Sequence, residues 1–415
     1  MSDRERTILF TGFEPSGDDH AAAVVAELRR RHPKVRVCAW GGPNMARAGA
    51  EVIEETGQNS VVGLPGPRTI LAQRATNKRI EQWMDANRVD VHVPVDAPAA
   101  NFPICAAAKA RGAKVVHLVA PQVWAWGGWR IAKLRRLTDF VCCLLPFEEQ
   151  FFADRGVPAR FVGHPLFDEV LDEAELDAAA KRWPSESPRL ALMPGSRSGE
   201  IKKNAPLLFE SFRALNAAYP RATGVVAAAH DRAADMLREI GRSMGGWPDR
   251  LRLAVGETDA VIRWSELNLV VSGTVTLQIA RQRRPMVIVY KSSKLLYNLL
   301  GRWLVQTDHF TLPNLVADRR IVPEFVPHFE DHAAFTEAAK ELLGSEAKMN
   351  QQRAELDAIV QRFAGYTAAQ SAAEAIADVA GLGPDSGDGA AGPLGRPGSE
   401  ATAPRPAPTR AEKTA

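Results

Sequence analysis

The chain has 415 residues, of which 46% are hydrophobic and 24% are charged, a composition typical of a globular protein and unlike that of a disordered or fibrous one. Its 52 lysines and arginines nearly balance 49 aspartates and glutamates, which leaves a formal net charge of +3. Because a dedicated nucleic-acid binder carries a strong basic excess, we predict no nucleic-acid partner.

The targeting and cysteine patterns favour the cytoplasm. No apolar run approaches the roughly 18 residues that span a bilayer, and the N-terminus leads into a strand-like run instead of a signal sequence. Four cysteines, at positions 38, 105, 142 and 143, lie in apolar runs without metal-ligand spacing. We therefore expect reduced thiols, no metal site and a cytoplasmic protein.

Short β-branched runs alternate with longer helical patterns along the chain. In the first half they occupy residues 7–11, 35–40, 91–95, 115–119 and 140–145. In the second half they occupy residues 190–193, 224–228, 251–255, 267–272 and 286–290. Strands that alternate with helices predict parallel sheets covered on both faces. The predicted fold class is α/β, with two tandem doubly wound, Rossmann-like domains.

The domain bounds follow from this alternation. We expect one domain in residues 1–166 and a second in residues 167–347. Residues 348–383 carry apolar side chains at helical spacing, and we expect helices there that pack across both domains. Residues 384–415 are rich in Pro, Gly, Ala and Ser, which predicts a disordered tail. Ligands of doubly wound sheets bind beyond the carboxyl ends of the strands, so the site should lie in the loops there.

The loop after the first strand contains Ser16, Gly17 and Asp18, and a helix is expected from about Asp19. Small residues let the backbone approach a ligand, and the free N–H groups of a helix N-terminus suit an anion or a polar sugar. The alternative is a plain strand-to-helix turn in which Ser16 or Asp18 caps the helix.

Asp96 follows the apolar run 91–95, where a general base would stand at the end of a buried strand. The alternative is again structural, because Pro98 suits a first helical turn and a nearby carboxylate complements the helix dipole. The residues alone leave both interpretations open.

A tryptophan-rich loop follows residues 115–119. Trp124, Trp126 and Trp129 could form an apolar wall, with Arg130 at the head of a basic stretch that would attract phosphate. Core packing and a solvated basic helix are the alternatives, with Trp124 the first candidate for the core.

Two loops of the second half suit a nucleotide. Residues 192–200 place a glycine turn and Arg197 at a helix start, where a guanidinium can grip a diphosphate. The second loop brings Ser272, Gly273 and Thr274 to another helix start. Neither loop has the G-x-x-x-x-G-K-[ST] pattern, which argues against an ATPase of the P-loop class.

Together, the short motifs of the chain resemble those of the lipid-A-disaccharide synthase family. Nine short motifs occur in that family's order between about residues 8 and 363: Gly12 with Ser16-Gly17-Asp18, Trp40-Gly41-Gly42-Pro43-Asn44-Met45, Val95-Asp96-Ala97-Pro98, Pro121-Gln122-Val123-Trp124-Ala125-Trp126, Leu145-Pro146-Phe147-Glu148, Val162-Gly163-His164-Pro165, Pro194-Gly195-Ser196-Arg197, Ser272-Gly273-Thr274 and Leu312-Pro313-Asn314-Leu315. Each motif is weak alone, and nine in order are specific.

The resemblance implies an inverting glycosyltransferase with the GT-B architecture. Its donor would be UDP-2,3-diacylglucosamine, its acceptor 2,3-diacylglucosamine 1-phosphate, and its products a β-1′,6-linked lipid A disaccharide and UDP. Asp96 would be the base for the acceptor 6-hydroxyl, Arg197 would hold the UDP diphosphate, and Asn314 would lie near the reacting sugar. No metal or other cofactor is implied.

Both implied substrates carry acyl chains, which require apolar surface. Residues 291–305 mix leucines, Tyr297 and Trp303 with cations, a pattern suited to an anionic bilayer, although an ordinary core-facing helix has the same pattern. We expect peripheral association with the cytoplasmic face of the inner membrane. A homodimer is one assembly that we keep open.

The chain departs from the family pattern at several positions. The family's Gly-Glu-Ala is Phe13-Glu14-Pro15 here, and its Asp-Ala-Pro-Asp-Phe-Asn becomes residues 96–101 with Ala99 in place of the second aspartate. Gln278 stands where related nucleotide-sugar enzymes use a glutamate for the ribose, and Gly127 and Gly128 replace polar residues. Two alternatives therefore stay open: an epimerase acting on UDP-N-acetylglucosamine, and a non-catalytic nucleotide-sugar-binding relative.

Overall fold

The computed structural model describes residues 5–56, 67–125, 127–291 and 309–383, apart from the side chain of Pro67. The strands are β1 (Thr7–Gly12), β2 (Arg36–Gly41), β3 (Glu51–Glu55), β4 (Val91–Val95), β5 (Lys114–Leu118), β6 (Phe140–Cys143), β7 (Ala159–Phe161), β8 (Arg189–Met193), β9 (Thr223–Ala228), β10 (Leu251–Val255), β11 (Leu267–Val271), β12 (Met286–Lys291) and β13 (Glu324–His328).

The α-helices of the described residues are α1 (Pro15–Arg31), α2 (Pro43–Arg47), α3 (Pro67–Ala86), α4 (Pro98–Ala110), α5 (Ile131–Leu137), α6 (Pro146–Ala153), α7 (Glu173–Ala180), α8 (Ser198–Ala218), α9 (Asp231–Ser243), α10 (Thr258–Trp264), α11 (Val275–Arg281), α12 (Leu312–Ala317), α13 (Ala333–Leu343), α14 (Glu346–Gln361) and α15 (Ala368–Ala380). Short 3₁₀ turns span Gly128–Arg130 and Pro165–Phe167. Within the described part of the chain, no helix combines the length and the apolar character needed to cross a membrane.

The first sheet has seven parallel strands in the order β3-β2-β1-β4-β5-β6-β7. Its central strands are buried on both faces, as the continuous β-branched runs predict. Side chains alternate between the faces: Ile8 and Phe10 pack into one apolar cluster and Leu9 into another. Strand order reverses between β1 and β4, so the loops after these two strands border the crevice where a doubly wound sheet binds ligand.

The second sheet has six parallel strands in the order β10-β9-β8-β11-β12-β13. Leu190 and Leu192 face one apolar cluster, and Ala191 and Met193 face the other. The switch point here lies between β8 and β11, so the loops with Arg197 and with residues 272–274 flank it. Both sheets confirm the predicted α/β class and its two Rossmann-like units.

The two halves are joined by packing as well as by the chain. The cluster beneath β8 and β11 also contains Trp124 and Phe161 from the first half. Phe167 stacks on Phe363, with ring centroids 4.2 Å apart. After this junction α15 returns to the first sheet, where Ile376 joins the cluster of Ile8 and Phe10.

The carboxylate of Asp168 secures the start of α15. It accepts the Ala368 N–H at 2.8 Å and the Ala369 N–H at 3.3 Å. These N–H groups have no partner within the helix, so the carboxylate satisfies donors that would otherwise be lost. The connector between the halves therefore fixes the last described helix on the first sheet.

Three strands were missed by the sequence prediction, and all lie at sheet edges: β3, β7 and β13. Glutamates dominate β3, β7 has three residues, and β13 contains Pro327, which an edge strand tolerates. None of the three presents the apolar run that marks a central strand.

Candidate functional site

The first loop becomes helical earlier than the sequence predicts. We expected α1 from about Asp19, but it begins at Pro15, with Glu14 extended at the N-cap. Proline at the first helical position supplies the required φ and gives up an N–H that would lack a partner. Ser16 is therefore exposed in the first turn, and Gly17 is buried there against Val95.

Asp18 has a structural role that the sequence interpretation as a ligand contact did not anticipate. Its buried carboxylate accepts the N–H groups of Gly42 and Asn44, each at 2.9 Å, and that of Met45 at 3.0 Å. These donors belong to the start of α2, so Asp18 caps that helix and ties two neighbouring loops together. Both of its oxygens are used for this purpose.

The turn at Asp96 is held in an unusual backbone conformation. Asp96 has φ 45° and Ala97 has φ 41°, a left-handed region that residues with a Cβ seldom occupy. Backbone strain of this kind persists where the surroundings impose it, and it concentrates at ligand sites. The Asp96 N–H donates to the Leu118 carbonyl at 3.1 Å, and its side chain is half-buried at the rim.

A buried polar network imposes this turn. The Asn101 amide nitrogen donates to the Asp96 carbonyl at 2.9 Å and to the Val95 carbonyl at 3.3 Å. Its Oδ1 accepts the Thr11 hydroxyl at 2.6 Å, and Thr11 Oγ1 also lies 2.8 Å from His92 Nε2. Burial lowers the pKa of His92 to about 3, so this imidazole is neutral. The network connects β1, β4 and α4 beneath the candidate base.

The tryptophan-rich loop divides between core and surface. Trp124 is buried, and its indole N–H donates to Glu148 Oε1 at 2.9 Å. Glu148 also accepts the N–H groups of Leu144 and Leu145, and its burial raises the carboxyl pKa to about 7. Trp124 thus packs as the core alternative expects. Trp129 is 73% exposed.

Arg130 is buried beside a glycine that makes room for it. A Cβ on Gly127 would lie 2.8 Å from the Arg130 Nε, and Gly127 has φ +70°. Burial lowers the pKa of Arg130. The glycine that departs from the family pattern thus leaves space for the Arg130 side chain and accommodates the positive φ. Lys133 on α5 is exposed, with its Nζ 4.8 Å from the centre of the Phe102 ring.

The loop predicted to hold a diphosphate has a glycine turn directly before a helix. Gly195 adopts φ +98°, and Arg197 is the N-cap residue of α8. The Arg197 side chain is 60% exposed, with its Nη1 3.2 Å from Glu200 Oε1. A mostly exposed guanidinium held by one carboxylate still has N–H groups to offer to an anion.

The second nucleotide loop lies at the end of β11. Ser272 is half-buried, whereas Gly273 and Thr274 are exposed ahead of α11. The Thr276 hydroxyl donates to the Gly273 carbonyl at 2.8 Å, which fixes the turn. Gln278 is half-buried one turn into the helix, as a residue that reaches a ligand at this loop would be.

The amide of Asn314, which the resemblance places near the reacting sugar, is hydrogen-bonded within the protein. It is fully buried, and its Oδ1 accepts the N–H groups of Ile321 and Val322 at 2.8 and 3.0 Å. Its amide nitrogen donates to the Val322 carbonyl at 3.0 Å. Asn314 therefore holds the chain between α12 and β13. A short sequence motif does not show that a side chain will bond to backbone groups several residues further along the chain.

Charged residues from both halves of the chain affect the pKa of Glu14. Burial raises the pKa of Glu14, the charge of Asp96 raises it further, and the charge of Arg197 opposes the rise. Because solvent-screened charges act over about 10 Å, Glu14 lies within electrostatic range of both the candidate base and the candidate diphosphate ligand. The sequence analysis did not select Glu14, although it is the one residue of Phe13-Glu14-Pro15 that matches the family pattern.

Two further residues lie within electrostatic range of the candidate base or of the Arg197 loop and were not predicted from the sequence. Burial raises the pKa of Tyr290, with the charge of Glu200 in the same direction and that of Arg197 against it, which places the phenol beside the Arg197 loop. Burial lowers the pKa of His20, and the charge of Asp96 opposes this, which places the imidazole near the candidate base. Neither residue belongs to a motif. The predicted lipid-side residues Trp126, Tyr297 and Trp303 lie outside the described residues, as does the tail 384–415.

Comparison with known proteins supplies the family. The family model described as lipid-A-disaccharide synthetase matches residues 8–377. A lipid-A-disaccharide synthase of Cellvibrio japonicus is 35% identical over 317 residues, which are 75% of this chain and 82% of the relative. A lipid-A-disaccharide synthase of Pseudomonas aeruginosa is 33% identical over 381 residues, which are 91% of this chain and 98% of the relative.

Solved structures support the architecture. An S. aureus MnaA–UDP co-structure superposes with a TM-score of 0.59 at 13% identity, covering 92% of this chain and 100% of that one. At this identity the likeness concerns the fold alone, and it extends across both sheets. The family match over residues 8–377, which covers most of the chain, leads to a single conclusion: the chain belongs to the lipid-A-disaccharide synthase family.

Proposed function

We propose that this glycosyltransferase transfers the diacylglucosamine of UDP-2,3-diacylglucosamine to the 6-hydroxyl of 2,3-diacylglucosamine 1-phosphate, with inversion, to give the β-1′,6-linked lipid A disaccharide 1-phosphate and UDP. Family membership makes the chain a glycosyltransferase that uses a nucleotide sugar. One observation supports the more specific proposal: the charges of Asp96 and Arg197 act in opposite directions on the pKa of Glu14, so the candidate base and the candidate diphosphate ligand both lie within electrostatic range of one residue.

Asp96 acts as the general base in this proposal. A single displacement at the anomeric carbon requires a group that removes the proton of the incoming hydroxyl as the new bond forms. The strained turn and the Asn101 amide hold the Asp96 carboxylate at the rim of the sheet. Rigid placement of this kind favours the attack by keeping the reacting atoms aligned.

The departing UDP is stabilised by the second half. Arg197 donates to the diphosphate oxygens, and the backbone N–H groups of the exposed residues Gly273 and Thr274 add dipoles as negative charge develops there. Ser272 and Gln278 bind the nucleoside portion. In the first half, Ser16 and the backbone at Gly17 contact the substrate, whereas Asp18 and Asn314 position the loops.

In this proposal each of the two domains binds one substrate. Residues 1–166 bind the acceptor, residues 167–347 bind the UDP-sugar, and helices within residues 348–383 hold the two together. A peripheral position on the cytoplasmic face of the inner membrane would supply both lipids. It is supported by the exposure of Trp129 close to the exposed cations of α5, a pattern suited to anionic headgroups. Dimerisation is proposed without a residue assigned to it.

The test is a mass spectrum of the product formed by the purified chain from UDP-diacylglucosamine and diacylglucosamine 1-phosphate. We expect the disaccharide 1-phosphate together with one equivalent of UDP. UDP-sugar that returns epimerised, or substrates that remain unchanged, would contradict the proposal.

A further inference from the structure

A cavity of about 40 Å³ lies beneath the candidate base, between α1, the ends of β5 and β6, and α15. Ten of its lining residues are apolar, and three carry polar side chains. The lining residues are Asp19, His20, Ala23, Val24, Leu118, Val119, Leu144, Val162, Pro165, Asp168, Ala368, Ala369 and Ala372.

The cavity adjoins the Asp96 turn. Leu118, which lines it, accepts the Asp96 N–H through its carbonyl at 3.1 Å. Val119, the next lining residue, has φ 68°, an uncommon conformation for a β-branched side chain. His20 forms another part of the wall, and it lies close enough to Asp96 for that charge to raise its pKa against the larger lowering by burial. A ligand group in the cavity would therefore lie beside the acceptor hydroxyl.

The chemistry of the walls favours a hydrocarbon. Apolar cavities stay dry and take apolar ligands, and about 40 Å³ accommodates roughly three groups the size of a water molecule. Of the polar residues, Asp168 already uses both oxygens on the N–H groups of Ala368 and Ala369. The cavity thus offers room for about three methylene groups.

We propose that this cavity receives the first methylenes of one acyl chain of the acceptor. The inference rests on the proposed function. The acceptor is favoured over the donor because nine of the thirteen lining residues lie in residues 1–166 and three in α15, with Asp168 alone from residues 167–347, whereas the loops of Arg197 and of residues 272–274 contribute none. Acyl-chain recognition next to the base would also place the sugar hydroxyl for attack.

The test narrows the mouth of the cavity with Ala23→Phe. Ala23 is exposed on α1, so the larger ring does not require the core to repack. The probes are acceptors carrying acetyl, butanoyl, hexanoyl and octanoyl chains. Each buried methylene contributes about fourfold in binding, so three contribute about 60-fold. We expect kcat/KM of the parent chain to rise about 60-fold from acetyl to hexanoyl and to level off at octanoyl once the cavity is filled, whereas that of the variant stays nearly flat and equals the parent only with acetyl.

Ala26→Phe is the matched control, because Ala26 is exposed one turn further along α1 and does not line the cavity. We expect it to behave as the parent. Ala369→Leu, at a half-buried wall position, should flatten the chain-length series as well. A loss in Ala23→Phe that is equal for all four acceptors, or a series as steep as the parent's, overturns the inference while leaving the proposed function intact. A parent chain that makes no disaccharide from any acceptor overturns the proposed function itself.

Discussion

Asn101→Ala tests whether the turn that carries Asp96 is imposed by its surroundings. The Asn101 side chain is fully buried and makes three hydrogen bonds, to the Thr11 hydroxyl at 2.6 Å and to the carbonyls of Asp96 and Val95 at 2.9 and 3.3 Å. Alanine removes all three. The two consecutive left-handed residues at 96 and 97 then lose the contacts that hold them.

The expected magnitude follows from these contacts. A hydrogen bond contributes about 1 kcal/mol net, and a buried group left without a partner costs about 1–3 kcal/mol, so the three together predict a loss of roughly 3 kcal/mol in the free energy of unfolding. Relaxation of the turn also moves the carboxylate, and a displacement of about 1 Å at a reacting group can lower the rate by about 10²-fold. We therefore expect both stability and kcat to fall.

The assay combines urea unfolding with UDP release at saturating substrates. Asn77→Ala is the matched control, because Asn77 is also buried and donates to the Ala100 carbonyl at 3.3 Å without touching the Asp96 turn. We expect this control to lose stability and keep kcat. If Asn101→Ala keeps the parent's kcat within twofold, or unfolds at the parent's urea concentration, the argument that the network holds the base is refuted.

Three further substitutions test other parts of the account. Arg197→Ala should weaken the affinity for UDP about tenfold in calorimetry. This factor corresponds to the lower end of the free energy of a charge-assisted hydrogen bond, because the side chain is mostly exposed. Equal affinity of the variant and the parent would contradict the diphosphate role. Burial lowers the pKa of His117 to about 3, so at pH 5 the unfolded chain binds a proton there that the folded chain does not, and stability falls as the pH drops below about 6.5. His117→Leu should reduce the difference in unfolding free energy between pH 7.5 and pH 5 by about 2 kcal/mol, and an undiminished difference would count against a buried neutral imidazole. Gly127→Ala should cost about 1–2 kcal/mol in urea unfolding, through its positive φ and the approach to Arg130, whereas Gly199→Ala, with open space around it, should not; equal behaviour of the two would remove the steric argument.

The central strands could be predicted from the sequence because burial on both faces requires continuous apolar runs. Among these, β4 has the predicted bounds, and the other predicted central strands differ by one or two residues at one or both ends. Three of the four edge strands escaped prediction because one side of each lacks a pairing strand, which permits charged residues in β3 and a proline in β13. The fourth edge strand, β10, has the predicted bounds because its sequence LRLAV is still mainly apolar. Periodicity reports burial, and the three missed strands are only partly buried.

The site was partly predictable for a related reason. Asp96 and Arg197 could be placed because each follows a strand, and strand ends of one sheet gather at one edge. Asp18 and Asn314 could not be assigned correctly, since their partners lie 24 to 27 and 7 to 8 residues further along the chain and are backbone groups that any sequence possesses. Glu14 could not be selected from the sequence, because its electrostatic interactions involve Asp96 and Arg197, which are distant from it along the chain.

The most direct test of the central claim compares Asp96→Asn with the parent chain in two measurements, the rate of UDP release from the diacylated substrates and the affinity for UDP by calorimetry. Asparagine keeps the size of the side chain and removes the proton acceptor. The account predicts a rate about 10²- to 10⁴-fold lower, as expected for loss of a general base, with UDP affinity unchanged. An Asp96→Asn variant that releases UDP at the parent's rate would contradict the account.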